Sequence, residues 1–206
     1  MIFPLDYTHL GYRFLDKVSI TTLHSGCDLN VGSPWADKGM PLKAMSDGLV
    51  VYSKIGDGGW GNLIVLFHHK YKVWSRLGHC EKVYFKEGAQ VGEGDEIGTV
   101  GNTGNSTAPH AHFDIIHQKL PSWTSYTKYW SSKKIREYYY DPISYIKGIQ
   151  KMEEEAPTDN APSVVHKQSW DWGMANKITS GENPKGAATR EQAIQMIYNY
   201  HKQFKL

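Results

Sequence analysis

The chain has 206 residues, 40% hydrophobic and 21% charged, with a net charge of +2. That is room for one good core plus a small appendage, in a globular rather than a disordered chain. No dense Lys/Arg stripe marks a nucleic-acid-coating protein, no apolar run reaches the roughly 18 residues that cross a membrane, and two cysteines cannot build a disulfide framework.

The N-terminus, "MIFPLDYTHLGYRF", lacks a basic region followed by an apolar one and does not read as a secretory signal. The expectation is synthesis in the cytoplasm and, for any action outside, exit by another route. In "HSGCDLN", His24 and Asp28 are four apart. Ser25 and Gly26 argue against a helix, so a strand or turn is expected to carry both side chains inward. An imidazole with a carboxylate suits Zn2+.

From about Lys43 to Ile116, strand follows strand. "GLVVYSKI", "NLIVLFHH", "YKVWSRLGH", "EIGTVG" and "HAHFDIIH" are short and rich in β-branched and aromatic residues, with Gly-rich turns between them. This predicts a mainly β domain of antiparallel sheets. In "RLGHCEKV", His79 closes one strand beside a turn. In "HAHF", His110 and His112 share one face of another. Taken alone, that pair also fits two half-exposed strand residues. Trp60, in "GDGGWGN", is a candidate for lining a groove or capping the sheet.

Residues Gln118 to Tyr140 are aromatic and basic without a clean period, and read as a long surface excursion with a short helix, either functional or simply packed on the sheet edge. Trp123, Tyr126, Tyr129 and Trp130 lie in it. "DPISYIKGIQ" closes a domain of residues 1–150. Residues 151–166 have the acidic, Pro-containing, small-polar composition of a linker. Residues 167–206 read as a small helical module. Its second helix starts at a capping box, Thr189 with Gln192, and shows Ala193, Ile197 and Tyr200 on one face. About 40 residues make a marginal core, so this piece is expected to dock on a partner or on copies of itself.

Catalytic zinc typically keeps three protein ligands and one open position. His24, Asp28 and one histidine of "HAH" would supply that set. The other histidine and His79 would then orient water or stabilise an oxyanion. Cys27 and Cys80, which flank these positions, read as small buried apolar residues.

Residues His24 to about Ile146 resemble the LytM/lysostaphin-type zinc metallopeptidases, the M23 peptidases. "HSGCDL" matches the family's His-x-Gly-x-Asp. "GHCEKVYFKEGAQVGEGDEIGTVGNTGNSTAPHAHFDI" matches its long central block, ending in Pro-His-x-His-Phe. The resemblance implies that His24, Asp28 and His112 hold one Zn2+, and that His79 and His110 are the catalytic pair. It implies hydrolysis of amide bonds in peptidoglycan stem or cross-bridge peptides. Some family members have lost ligands and regulate other hydrolases, which is the alternative. The family often has Tyr-x-His-Leu where this chain has Leu77-Gly78-His79-Cys80, so the family's aromatic is missing there. The C-terminal piece is similar to a single S-layer-homology unit, which implies wall binding or docking. With the N-terminus, this implies a phage-type endolysin that reaches the wall after release.

Overall fold

A computed structural model describes residues 1–33 and 35–154. Most of the expected linker and the whole expected helical module, residues 167–206, lie outside the described residues.

In chain order the strands are β1 (His9–Leu10), β2 (Lys17–Ser19), β3 (Thr22–Leu23), β4 (Cys27–Asn30), β5 (Pro41–Lys43), β6 (Gly48–Lys54), β7 (Asn62–His68), β8 (Val73–Cys80), β9 (Lys82–Val83), β10 (Gln90–Val91), β11 (Glu96–Thr99), β12 (Ala111–Ile116) and β13 (Tyr139–Tyr140). Two α-helices join them, α1 (Ser132–Arg136) between β12 and β13 and α2 (Pro142–Glu154) after β13. The main sheet runs β1-β4-β12-β8-β7-β6-β10, with β13 also on β12. Smaller sheets are β5-β11-β9 and β2-β3, and all the pairings are antiparallel. The antiparallel β expectation therefore holds.

Side-chain alternation along the central strands sorts the two faces of the sheet. On β12, Ala111, Phe113 and Ile115 enter the main core, as do Cys27 and Leu29 of β4 and Val73 and Leu77 of β8. Their neighbours, Asp28, His112, Asp114, Arg76 and Gly78, take the opposite face. The register sets them in rows: His112 lies between Asp28 and Gly78, and Asp114 lies beside Arg76.

One stretch differs from expectation. Lys151–Glu154, the first residues of the expected linker, are helical. Helix α2 is well started, because Asp141 Oδ1 accepts from the Ile143 amide and Pro142 occupies the first turn. Buried Ile146 ties it to the core, and the good helix formers that follow carry it on. Residues 118–138 run as a connection with a short helix, packed over the sheet on a second apolar cluster. There Ile116 of the sheet meets Leu120, Ile135 and Tyr139, with Trp123 and Trp130 packed against them.

Candidate metal and catalytic site

Three motifs far apart in sequence meet here because β4, β12 and β8 are neighbours. Asp28 projects from β4 and His112 from β12, while His24 sits in the connection before β4 rather than in a strand. The Ser25-Gly26 turn brings its ring back over the sheet. His24 Nε2 lies 2.9 Å from His112 Nδ1 and 3.1 Å from Asp28 Oδ1, and His112 Nδ1 lies 3.2 Å from the same oxygen. Around Zn2+ with bonds near 2.0–2.1 Å, tetrahedrally placed donors stand about 3.3 Å apart. The triangle is thus close to one face of a tetrahedron, and the set is two imidazoles and a carboxylate. Among the described residues this is the cluster whose donors are close enough to hold a metal ion.

The outer contacts suit ligands as well. His24 Nδ1 is 3.3 Å from the Arg13 carbonyl, and His112 Nε2 is 3.2 Å from Asp114 Oδ2. A metal-bound histidine is normally held through its second nitrogen; His24 has such a hydrogen bond, while His112 Nε2 faces Asp114 as an ion pair without a hydrogen bond's alignment. Asp114 in turn pairs with Arg76, whose Nε is 2.6 Å away, and both side chains are fully buried. Neither residue was singled out from sequence. An acidic residue inside the apolar run "HFDII" and an arginine inside "VWSRLG" were the available signals.

His79 reaches the site through a break in alternation. Strict alternation on β8 would send it into the core after Leu77. Instead the β7–β8 register slips, so that Gly78 and His79 together oppose Leu63, and His79 takes a positive φ of 60°. This is a β-bulge, a feature that re-aims a side chain next to active sites. The left-handed backbone costs about 1–2 kcal/mol. His79 turns to the site and Cys80 takes the core position. His110 lies just before β12, bridged to Gly101, and its Nε2 is 3.5 Å from Asp28 Oδ1. The His79 and His110 rings stand 5.1 Å apart.

Each of these two rings is fixed in the same sense. His79 Nδ1 is 2.8 Å from the Thr103 carbonyl, and His110 Nδ1 is 2.8 Å from the Ala108 carbonyl. A carbonyl only accepts, so Nδ1 carries the proton and Nε2 is the basic nitrogen of each neutral ring. Burial, then the nearby His112 and His110, push His79 down to about 4. It is therefore neutral at neutral pH. Burial raises Asp28, but hydrogen bonds from His112 and His24 outweigh it and hold the carboxylate well below its usual range. Burial lowers His112, yet Asp114 and Asp28 outweigh that and lift it to about 9.

A cleft of about 310 Å³ opens over the site. One wall is aromatic: Trp60 stacks on Tyr126 at 5.1 Å and on His79 at 6.0 Å. Beyond Asp28 and His110 the groove continues into a more polar arm bordered by His9, Asp16 and Asn30. All five residues expected from sequence therefore gather at one place. Of Trp123, Tyr126, Tyr129 and Trp130, which with Trp60 fit either a groove lining or a cap on the sheet, only Tyr126 lines the cleft. Trp123 and Trp130 pack into the second cluster, and Tyr129 is exposed away from it. Cys27 and Cys80 are fully buried free thiols, as expected. His68 is buried far from the site, with Nε2 2.8 Å from Ser75 Oγ.

Comparison with known proteins agrees with this geometry. Residues 22–122 match peptidase family M23. The DD-carboxypeptidase/endopeptidase Mpg of Neisseria meningitidis serogroup B is 35% identical over 115 residues, covering 54% of this chain and 25% of Mpg. The peptidoglycan DD-endopeptidase ShyA of Vibrio cholerae is 35% identical over 83 residues, covering 40% of this chain and 19% of ShyA. The chain thus spans a quarter or less of the length of these relatives. The catalytic domain of the antimicrobial peptidase lysostaphin from Staphylococcus simulans superposes with a TM-score of 0.53 at 28% identity, covering 68% of this chain and 92% of that domain. The fold, the matched residues and the gathered motifs lead to one conclusion: this chain belongs to peptidase family M23.

Proposed function

We propose that this chain is a zinc-dependent endopeptidase acting on amide bonds in peptidoglycan stem or cross-bridge peptides. The observation that carries the reading is the donor triangle of His24, Asp28 and His112, with edges of 2.9–3.2 Å, facing a cleft that also holds His79 and His110. The relatives Mpg, named as a DD-carboxypeptidase/endopeptidase, and ShyA, named as a peptidoglycan DD-endopeptidase, support the substrate class.

Zinc held by the three ligands would supply Lewis acidity, polarising the scissile carbonyl and acidifying a water. The remaining work falls to side chains. His79, which is neutral at neutral pH, presents Nε2 as a proton acceptor within the cleft, suited to drawing a proton from the attacking water, and the Nε2 of His110 stands beside it. Once protonated, the same nitrogen is a donor that can stabilise negative charge developing on the carbonyl oxygen. Asp28 stays ionised and offsets the positive charge gathered beside it. The backbone carbonyls of Thr103 and Ala108 keep both rings in the required tautomer. The alternative, a regulator or wall-binding module without hydrolysis, goes with loss of a ligand or a catalytic histidine, and all five side chains are present.

The test is release of new amino groups from purified peptidoglycan, with and without a chelator. The reading expects release that stops on chelation and returns with Zn2+. Release that ignores the chelator, or no release from any wall chemotype, contradicts it.

A further inference from the structure

Arg76 is fully buried, an expensive place for a charge unless its donors are used. The guanidinium works in three directions. Its Nε lies 2.6 Å from Asp114 Oδ2, the same oxygen that stands 3.2 Å from His112 Nε2. Its Nη1 donates to the carbonyls of Trp123, at 2.7 Å, and Ser125, at 3.4 Å. These residues flank Thr124, whose carbonyl accepts from Trp60 Nε1 at 3.1 Å. Its face lies against the Trp60 ring, with Cζ 3.9 Å from the centroid, and Trp60 stacks in turn on Tyr126.

One end of this assembly is therefore a candidate metal ligand and the other is the aromatic wall of the cleft. We propose that Arg76 is a positioning residue that sets both at once, coupling the orientation of His112 to the seating of substrate against Trp60 and Tyr126. The wall half rests on the peptidase reading above, while the metal half rests on the contacts alone. A planar fork with a stackable face is needed for the combined task. Lysine would keep a point charge beside Asp114 but could not also bond two carbonyls and stack on an indole.

That difference provides the test. Wild type, Arg76→Lys and Arg76→Gln are compared as folded proteins. Zinc affinity is measured by competition with a chromogenic chelator, and KM and kcat with a soluble peptidoglycan fragment. Arg76→Lys should keep zinc affinity within about threefold, because the charge beside Asp114 remains, and raise KM by about fivefold or more with a smaller change in kcat. Arg76→Gln, which leaves Asp114 without a counter-charge, should weaken zinc binding by about 10- to 100-fold. A residue that only stabilised the fold would lower the unfolding midpoint without this split. Wild-type KM in Arg76→Lys overturns the wall half, and wild-type zinc affinity in Arg76→Gln overturns the metal half. Should Arg76→Gln not fold, Asp114→Asn reads the same link from its other end, and wild-type zinc affinity there is equally fatal. If the wild type hydrolyses nothing, the peptidase reading fails separately. The wall half is then read as the Kd of the same fragment, followed by tryptophan fluorescence.

Discussion

The sharpest structural prediction concerns Gly26, in the turn that folds His24 back over Asp28. A Cβ at this position would stand 2.1 Å from the Phe113 carbonyl oxygen on β12 and 2.7 Å from Asp114 Oδ1. Carbon–oxygen contacts closer than about 3.3 Å are rare, so Gly26→Ala must push the turn away from β12 by about 1.2 Å. The obstacle is backbone in the middle of the sheet and cannot swing aside. His24 just before the turn and Asp28 just beyond Cys27 supply two of the three donors in a triangle whose edges are 2.9–3.2 Å. Metal sites tolerate errors of about 0.2 Å in bond length, and a misplacement near 1 Å costs about 100-fold in function. Gly26→Ala should therefore lose zinc affinity by about 100-fold and stability by about 1–3 kcal/mol, with the β-sheet content retained. Chelator competition reads the first, urea unfolding the second and far-ultraviolet circular dichroism the third. A folded Gly26→Ala that binds zinc as wild type does would refute this account of the turn.

Gly78→Ala places a Cβ 2.9 Å from Cε3 of Trp60, which is pinned between Arg76 and Tyr126. It should cost about 1–3 kcal/mol in urea unfolding, and a neutral substitution would show that Trp60 has room to move. The thiols of Cys27 and Cys80 are both raised by burial, Cys80 up to about 12, so neither ionises at neutral pH. Native protein should resist a thiol reagent at pH 8 and unfolded protein should take up two equivalents; rapid native labelling would contradict their core placement. In the metal-free chain burial lowers His112, but Asp114 and Asp28 lift it to about 9, so below that pH the ring holds a proton that a cation must displace. Calorimetry at pH 7.5 in buffers of different ionisation heat should find about one proton released per zinc, and binding without proton release would argue against His112 as a ligand.

The legibility of this site in the sequence follows from how each part is encoded. Two histidines one residue apart in "HAHF" and a His-Asp pair around Ser25-Gly26 are local signals; strand periodicity places Asp28 and His112, while the turn carries His24 and the bridge to Gly101 carries His110. The strands carrying them are equally local, since β-branched runs between glycines define β6, β7, β8 and β12. Arg76 and Asp114 are different. Their partnership exists only through the β8–β12 register, which pairs residues 38 apart, so neither looks functional by itself. The bulge at His79 was also hidden, because its positive φ depends on how β7 pairs with β8 rather than on a turn-forming residue type. The segment before His24 carries only two- and three-residue strands, too short for any periodicity to show. In the 118–140 stretch the second apolar cluster forms only once Ile116 of the sheet is placed beneath it.

The proposed hydrolysis depends on zinc held by the His24–Asp28–His112 triangle. The most direct measurement pairs zinc content with amine release from purified peptidoglycan for the wild type and His112→Ala. About one zinc per wild-type chain is expected, with loss of both the metal and the activity in the folded variant. A His112→Ala protein that keeps its full zinc and its full rate of amine release would contradict this dependence.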